Sequence, residues 1–255
     1  MPSIDLETTE ARAAAAGGAE KRAYVRRIFS EIAPRYDLLN HLLSFNIDRR
    51  WRRRAISILD PTRRPGGVFV DLCAGTLDVA AELSRTPGFR GLVLGTDFAE
   101  PMLRAGLAKA PRVLVAPVTA DAVELPLAAD SVAGAIVAFG IRNVATLADA
   151  LAEMYRVLEP GGRFVILEFS TPRSAVVRGA YHAYFHTVLP AVGRVVSGHR
   201  TAYRYLPESV ARFPVQEQLA RAMRDAGFID VRWESLTLGV AAIHSGDKPR
   251  ATGTA

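Results

Sequence analysis

A doubly wound α/β fold with a mostly parallel sheet is predicted by two features of this sequence. Short apolar runs alternate with helical patterns from Val68 to Phe169, which is typical of strands joined by right-handed helical crossovers. Acidic residues stand at the ends of three successive runs, at Asp71, Asp97 and Asp121. Because ligands of such sheets bind beyond the carboxyl ends of the strands, these acids predict a nucleoside site.

The individual elements follow from periodicity and from helix-stop and turn residues. Strands are expected at Val68–Leu72, Gly91–Thr96, Val113–Thr119, Val132–Ala138, Phe164–Phe169, Val231–Leu236 and Val240–His244. Helices are expected at Asp78–Ser84, Glu100–Lys109, Leu147–Leu158 and Val215–Ala226. The segment Thr237–Gly239 is short enough for a hairpin, which favours an antiparallel last pair in a seven-stranded sheet.

The chain is expected to hold a single domain, residues 21–250, after a disordered tail at residues 1–20. Two helical patterns precede the sheet, one from Tyr24 and one from Asp48 to Leu59. The alternation stops after the fifth strand, where residues 173–213 carry helical patterns and many aromatic side chains. These residues are predicted to form a helical insertion.

Composition and charge exclude several classes of protein. The 255 residues are 49% hydrophobic, which suffices for one sizeable core. The polar, acidic start does not fit a signal peptide, and no uncharged stretch reaches the ~18 residues of a membrane span, so a cytoplasmic location is expected. The lone cysteine, Cys73, excludes an intrachain disulfide, and we interpret it as a small buried residue rather than a nucleophile.

The net charge is +6, and much of the excess lies in one arginine cluster, residues 49, 50 and 52–54. Such a cluster can attract anionic lipid, and the alternative is a solvated helix face. Trp51 within it could anchor the helix to the domain or to a bilayer surface.

The loop after the first strand argues against a dinucleotide and for a cationic ligand. A pyrophosphate-binding loop has three glycines, whereas here Gly75 stands alone between Asp71 and Asp78. Two carboxylates repel a pyrophosphate but suit S-adenosylmethionine, which carries an ammonium and a sulfonium. The loop residues Gly75 and Thr76 are therefore expected to hold that cofactor together with both acids.

The two later acids complete the expected cofactor site. Asp97 has the strand-end position and the spacing of a carboxylate that binds ribose hydroxyls, and its alternative role is an N-cap for the next helix. Asp121 and Ala122 follow the third strand, where they could meet the adenine, and the alternative there is a turn or helix cap.

The sequence also resembles the quinone-biosynthesis C-methyltransferases of the UbiE/MenG type, from about Val25 to Pro249. The segments that carry the resemblance are residues 28–37 (IFSEIAPRYD), 71–78 (DLCAGTLD), 139–144 (FGIRNV), 167–170 (LEFS), 202–209 (AYRYLPES) and 236–244 (LTLGVAAIH). The resemblance implies a class I methyltransferase fold in which residues 21–60 form a helical lid and residues 173–213 bind the substrate. The implied reaction is methyl transfer from S-adenosylmethionine to a prenylated demethylated hydroquinone, with demethylmenaquinol favoured over a ubiquinone precursor.

Catalytic roles are expected for Arg142 and Tyr36. Arg142 lies beyond the fourth strand and, being always protonated, suits a phenolate oxygen; the alternative is a salt bridge to a neighbouring loop. Tyr36 belongs to the implied lid and could bond the cofactor or the substrate, and the alternative is core packing. Asn143 could assist Arg142, and Glu168 is a further acid–base candidate. One departure from the family is Leu77, which replaces a second glycine; we expect it to cost about 1 kcal/mol if its φ is positive, and to crowd the methionine end of the cofactor.

No metal site is expected, although His182 and His186 have a metal-ligand spacing, because the methylation needs no metal. We expect transient contact with an anionic membrane surface and no nucleic-acid partner, and homo-oligomerisation is left open. The alternatives are a class I methyltransferase for another small aromatic or lipid, and a nucleic-acid-binding module. The first alternative would share the cofactor residues and differ only in the insertion. The second is disfavoured because the sequence has no evident RNA-binding motif.

Overall fold

The computed structural model describes residues 18–33, 36, 44, 46–183 and 200–250. Its centre is a seven-stranded sheet in the order β3-β2-β1-β4-β5-β7-β6. The first five strands are parallel neighbours, and β7 runs antiparallel to both β5 and β6. The predicted doubly wound, mostly parallel sheet and its antiparallel last pair are confirmed.

The strands are β1 Val68–Leu72, β2 Leu92–Asp97, β3 Val115–Thr119, β4 Val132–Ala138, β5 Leu158–Phe169, β6 Ile229–Leu236 and β7 Ala241–Asp247. The sequence predicted β1 and β4 at these bounds, because both are short apolar runs buried on both faces. β5 begins six residues before the predicted Phe164, since Leu158 already pairs with Val132 of β4.

The helices are α1 Gly18–Ile32, α2 Ile47–Leu59, α3 Asp78–Ser84, α4 Glu100–Gly106, α5 Leu147–Val157, α6 Ala175–Ala183, α7 Arg200–Arg212 and α8 Gln216–Asp225. α1 begins at Gly18, three residues before the predicted start of the domain, and residues 1–17 lie outside the described part. α6 and α7 belong to the predicted insertion, of which residues 184–199 are not described.

Helices cover both faces of the sheet. On one face α2, α3 and α4 bury apolar side chains such as Leu59, Leu83 and Leu103 against Phe69 and Ile136 of the sheet. On the other face the buried sides of α5 and α8 pack on β4 and β5. α2 therefore packs on a face of the sheet, whereas we expected it to belong to a lid formed by residues 21–60. Of the two described helices in that range, only α1 lies above the carboxyl edge of the sheet.

α1 crosses the carboxyl edge of the parallel strands. Tyr24, Val25 and Ile28 of α1 form a buried cluster with Tyr205 of α7, in which the rings of Tyr24 and Tyr205 are 5.8 Å apart. α1 also contacts α4 and the short 3-10 turn Ile141–Asn143. The N-terminal helix and the insertion thus enclose the edge at which the predicted site lies.

The arginine cluster of α2 is largely paired with carboxylates within the fold. Arg52 is buried and contacts Asp78 and Asp48, Arg53 pairs with Glu82, and Arg54 pairs with Glu234 of β6. Arg49 and Arg50 are exposed. Trp51 packs into the core and donates a hydrogen bond from Nε1 to Thr237 Oγ1 at 3.1 Å, so it anchors α2 to the domain.

Among the helices that the structure describes, none has both the length and the apolar character needed to cross a membrane.

Candidate active site

A cavity opens at the carboxyl edge of the sheet, beneath α1. It is bounded by the loops that follow β1, β2, β3 and β4, and Phe29 and Tyr36 contribute aromatic rings from the α1 side. Of the predicted site residues it brings together five: Tyr36, Gly75, Asp97, Asp121 and Ala122. The other lining residues are Arg22, Phe29, Cys73, Thr96, Phe98, Met102, Ala120, Phe139, Gly140, Asn143, Val144 and Ala145.

Asp97 ends β2 and holds the glycine loop. Its Oδ2 accepts a hydrogen bond from the Gly75 backbone N–H at 2.9 Å, and its Oδ1 accepts one from Ala99 N–H at 2.8 Å. Burial raises the pKa of Asp97 to about 6, although these backbone donors oppose the shift. The Phe98 backbone N–H also donates to this carboxylate, which still leaves acceptor capacity for a ligand hydroxyl. Through Ala99, the N-cap residue of α4, Asp97 also fixes the chain ahead of that helix, and ribose binding stays a prediction.

Asp71 and Thr76 lie beneath the cavity rather than in its wall. Asp71 is almost fully buried, and its Oδ2 accepts a hydrogen bond from Ala80 N–H in α3 at 2.9 Å. Burial raises the pKa of Asp71 to about 8. Thr76 is also buried and does not line the cavity. Neither residue lies in the cavity wall, and the contact with the cofactor that we expected of both stays a prediction.

Asp78 points away from the cavity, which corrects the expectation that it faces the cofactor. Its Oδ2 accepts a hydrogen bond from Arg52 at 2.6 Å and its Oδ1 one from Lys109 at 2.7 Å. Burial pushes the pKa of Asp78 upward, but the charges of Arg52 and Lys109 outweigh burial and lower it. The acid thus ties α3 to α2.

Asp121 and Ala122 lie where the cavity meets β3. Asp121 Oδ1 accepts a hydrogen bond from Val123 N–H at 3.2 Å, and Oδ2 pairs with Arg22 Nε at 2.7 Å. Arg22 belongs to α1, so this ion pair fastens the helix over the site. The sequence offered no signal for Arg22 beyond its place on a helix.

Leu77 has the positive φ that we considered, 62°, yet its side chain does not crowd the cavity. The side chain is fully buried on the α2–α3 face, where it fills the space above Gly95. A Cβ on Gly95 would lie 2.4 Å from Leu77 Cδ2. Gly95 therefore makes room for Leu77, and the expected crowding of the methionine end is corrected.

Gly75 and Tyr36 meet at the closed end of the cavity. Gly75 has φ 51°, and a Cβ there would lie 3.3 Å from Met102 Cε and 3.7 Å from Tyr36 Cε1. The rings of Tyr36 and Phe29 are 5.8 Å apart in an edge-on arrangement. Only a glycine leaves room for a ligand between the loop and this aromatic cover.

Arg142 lies beside the cavity, in a neighbouring cleft that Lys21 and Tyr205 also line. Its Nη1 donates to Glu168 Oε1 at 2.6 Å and to Phe139 O, and the guanidinium lies 5.4 Å from the centre of the Phe169 ring. Burial raises the pKa of Glu168, although Arg142 opposes the shift. Arg142 thus lies at the strand end, as the sequence predicted, and it also forms a buried salt bridge, which was the alternative role.

Three polar groups near this pair are buried without a hydrogen-bond partner among the described residues: Arg142 Nε, Asn143 Oδ1 and the Tyr205 hydroxyl. Because buried polar groups are normally paired, unpaired ones at a cavity edge indicate a polar ligand. Burial raises the pKa of Tyr205 to about 12, so its hydroxyl stays protonated. Tyr205 belongs to the 202–209 segment, and its pattern alone did not mark it as a site residue.

Cys73 lines the cavity, and burial raises the pKa of its thiol well above the usual value, which agrees with a non-nucleophilic role. Over the described residues, no three His, Cys, Asp or Glu side chains come together as a metal site. His186 and the side chain of His182 lie outside the described part.

The fold has solved counterparts. A SAM-dependent methyltransferase of Thermotoga maritima matches with a TM-score of 0.60 and 20% identity, over 87% of this chain and 98% of that one. At this identity the likeness concerns the fold. The sheet order and the cavity at its carboxyl edge define the class I S-adenosylmethionine-dependent methyltransferase fold.

Proteins with similar sequences identify the family within this class of methyltransferases. A demethylmenaquinone methyltransferase of Thermus thermophilus is 50% identical over 225 residues, which cover 87% of this chain and 100% of the relative. A ubiquinone/menaquinone biosynthesis C-methyltransferase UbiE of Geobacter sulfurreducens is 43% identical, over 90% of each chain. The family model described as ubiE/COQ5 methyltransferase family matches residues 18–248. This chain belongs to the ubiE/COQ5 methyltransferase family.

Proposed function

We propose that this protein methylates a ring carbon of a prenylated demethylated hydroquinone, demethylmenaquinol, with S-adenosylmethionine as methyl donor. The observation that carries the choice of reaction is the 50% identity to a demethylmenaquinone methyltransferase over that relative's whole length. The cavity supports the choice of donor, and the Arg142–Glu168 pair supports an oxygen-bearing acceptor.

The cavity residues fit S-adenosylmethionine better than a nucleotide phosphate. The Gly75 N–H already donates to Asp97, so it is not available to a phosphate. Asp97 and Asp121 present carboxylate oxygens, which accept hydrogen bonds from hydroxyl and amino groups and favour a cationic ligand. When bound, S-adenosylmethionine supplies an electrophilic methyl group on a sulfonium; its transfer would leave S-adenosylhomocysteine, and the proton of the methylated ring carbon would pass to solvent.

Four residues are proposed to hold the donor. Asp97 would accept from the ribose hydroxyls, and Asp121 with Ala122 would border the adenine. Tyr36 would cover the glycine loop and exclude water from the reacting atoms. Asp71 and Asp78 would act indirectly, by fixing the start of α3.

Arg142 is proposed to stabilise the developing phenolate of the acceptor. Its Nε–H is buried and has no partner among the described residues, so it is available to a substrate oxygen. Glu168 fixes the guanidinium from the other side, and the backbone N–H of Arg142 also donates to Glu168 Oε2 at 3.3 Å. Donors fixed in this way stabilise charge without reorganising during the reaction. Asn143 Oδ1 adds an acceptor for a hydroxyl at the cavity edge.

The insertion is proposed to receive the isoprenoid tail. Tyr181 of α6 and Val210 of α7 are buried together with Phe169, Leu206 and Val240, which continue an apolar surface away from Arg142. Because a substrate with such a tail dissolves in the bilayer, we propose that the protein visits the inner membrane surface as a peripheral protein.

The test is a methylation assay with purified protein, S-adenosylmethionine and either demethylmenaquinol or a demethylated ubiquinol precursor, with products identified by mass spectrometry. We expect a product 14 mass units heavier with demethylmenaquinol. We also expect Arg142→Lys to lower kcat by about 100-fold with donor binding unchanged, because a lysine cannot keep both the Glu168 contact and the Nε position. Turnover of neither quinol by the wild type would contradict the proposal.

A further inference from the structure

The turn between β6 and β7 carries an exposed leucine in a disfavoured backbone conformation. Thr237 has φ 45° and Leu238 has φ 59°, both in the left-handed region. Leu238 is 76% exposed, so packing within the chain does not compensate this conformation. Glycine or asparagine would occupy such a position at lower cost. The leucine at this position is therefore a candidate for a contact outside the fold.

Two further exposed apolar side chains flank this turn. On one side, Trp51 of α2 donates its hydrogen bond to Thr237, and Ile47, 39% exposed, lies one helical turn before Trp51 on the same side of α2. On the other side, Gly239 packs so closely on Pro172 that a Cβ would lie 3.3 Å from Pro172 Cα.

Val176, 83% exposed, follows Pro172 in the first turn of α6. Ile47, Val176 and Leu238 thus stand at one end of the molecule, the carboxyl edge of the sheet. We name this set the apolar lip.

The charge around the lip is positive. Four arginines surround it: Arg50 and Arg54 on α2, and Arg173 and Arg178 at the start of α6. Arg54 pairs with Glu234 through two contacts of 2.7 Å, and Arg173 pairs with Glu217. Arg50 is exposed, and Arg178 donates to the carbonyl oxygens of Pro172 and Arg173. The two carboxylates neutralise only two of the four guanidiniums, so these four arginines form a rim of net positive charge around the lip.

An aromatic row lies behind the lip. The Trp51 ring is 6.1 Å from the Phe139 ring, and Phe139 is 4.8 Å from Phe169. Phe139 lines the cavity and Phe169 lies under Arg142. Packed aromatic side chains thus connect the lip to the wall of the candidate active site.

We propose that the apolar lip docks this protein on an anionic lipid bilayer. Leu238, Val176 and Ile47 enter the boundary between headgroups and acyl chains, and the arginine rim meets the anionic headgroups. The tail-bearing substrate enters from the bilayer on this side of the molecule, to which the insertion also belongs. This inference rests on the proposed function, because only a tail-bearing substrate requires access from the bilayer.

Vesicle flotation tests the docking surface directly. The full chain is mixed with phosphatidylcholine vesicles that contain phosphatidylglycerol, and with phosphatidylcholine vesicles alone. We expect binding to the anionic vesicles that weakens in high salt, and weaker binding to the neutral ones. Leu238→Gly should lower binding roughly tenfold, since one buried leucine side chain is lost from the bilayer. Glycine suits the left-handed turn, so the variant keeps its fold, which its melting temperature verifies.

Val113→Gly is the matched control. Val113 is 88% exposed but precedes β3, at the opposite edge of the sheet, so its substitution should leave vesicle binding unchanged. Equal losses in Val113→Gly and Leu238→Gly, or no wild-type binding to anionic vesicles, would overturn the proposal. So would light scattering that shows Leu238→Gly dissociating a wild-type dimer while vesicle binding persists, because the lip would then be a contact between copies.

Turnover separates this inference from the proposed function. A short-tailed hydroquinone in solution and a long-tailed one in anionic vesicles are supplied as alternative substrates. We expect the wild type to methylate both, and Leu238→Gly to keep the rate with the short-tailed substrate while losing about tenfold with the vesicle substrate. Failure of the wild type with both substrates would overturn the proposed function, whereas flotation decides the docking surface.

Discussion

Leu77 shows how a residue can violate a family pattern and still serve the fold. Its positive φ costs about 1 kcal/mol for a side chain with a Cβ. Its fully buried side chain fills the space that Gly95 leaves open, and burial of a leucine stabilises by about 2 kcal/mol or more. The packing gain exceeds the backbone cost, so the leucine is compatible with a stable loop.

The variant Leu77→Gly therefore separates the backbone cost of the positive φ from the stability gained by burying the leucine side chain. The variant relieves the backbone but leaves a cavity, so we expect a net loss of about 1–3 kcal/mol in the free energy of unfolding. The affinity for S-adenosylmethionine should stay within about threefold, because Leu77 does not line the cavity. Urea unfolding and calorimetric titration measure the two quantities. A clear gain in affinity would show that the leucine does crowd the cofactor.

The ionisation of Asp97 predicts a pH dependence with opposite signs for binding and for stability. Its pKa of about 6 lies above the usual value, so the ligand-free folded chain holds an extra proton between about pH 4 and 6. The free energy of unfolding should therefore fall as pH rises through this window. Affinity for S-adenosylmethionine should instead fall as pH drops below about 6, because a protonated carboxyl loses acceptor capacity.

The variant Asp97→Asn is the control for the pH dependence of both stability and cofactor affinity. It keeps the shape of the side chain without its titration, so the two pH effects should disappear together. Thermal unfolding and cofactor titration between pH 4.5 and 7.5 measure them. A pH effect that persists in the variant would assign it to another group, for which Asp71 is the first candidate.

At the scale of elements, α2 is bound to the sheet layer by its buried arginine. Arg52 joins Asp48 in its own helix to Asp78 at the start of α3, and both partners are partly or fully buried. Arg53, its neighbour, forms an exposed pair with Glu82 of α3. The chain thus offers a buried and a solvated arginine side by side, in contact with the same helix.

Arg52→Ala should destabilise the protein by about 3 kcal/mol, since it leaves Asp78 and Asp48 buried with less compensation. Arg53→Ala should change the free energy of unfolding by less than about 0.5 kcal/mol, because an exposed pair is screened by solvent. Chemical denaturation of the two variants measures the difference. Equal effects would mean that Arg52 does not hold α2 in place.

The same helix shows what the sequence could and could not predict. An apolar stripe of Trp51, Ala55, Ile56 and Leu59 predicted a helix within one residue of its observed start, but periodicity does not specify the partner surface. The stripe packs on the sheet, so α2 is part of the layer and not of a lid. β1, α3 and β4 were predicted at their observed bounds, because short apolar runs and the glycine loop delimit them locally.

For the site, strand-end positions predicted that Asp97, Asp121 and Gly75 lie together, since topology alone brings the carboxyl ends of parallel strands together; all three line the cavity, and their binding of the cofactor stays a prediction. Asp78 could not be assigned in this way. Its partners Arg52 and Lys109 are distant in sequence, and only the fold brings them to it. Arg22 and Tyr205 reach the site through α1 and α7, whose packing angles the sequence does not specify.

At the scale of the whole molecule, the cavity, the Arg142–Glu168 pair and the apolar lip lie along one edge of the sheet. The cavity follows β1, β2, β3 and β4, the Arg142–Glu168 pair lies at the ends of β4 and β5, and the turn with Leu238 joins β6 to β7. The proposed reaction and the proposed docking surface therefore use the same edge, where the ring of the substrate would lie at Arg142 and its tail toward the lip.

The position of the transferred methyl group tests this account most directly. The wild type is incubated with S-adenosylmethionine whose methyl group is deuterated and with demethylmenaquinol, and the product is fragmented by tandem mass spectrometry. We predict a label that stays with the ring fragment and a quinol that can still be oxidised to the quinone. A label lost as a methoxy fragment, or a product that resists oxidation, would mean O-methylation and would contradict C-methylation at this site.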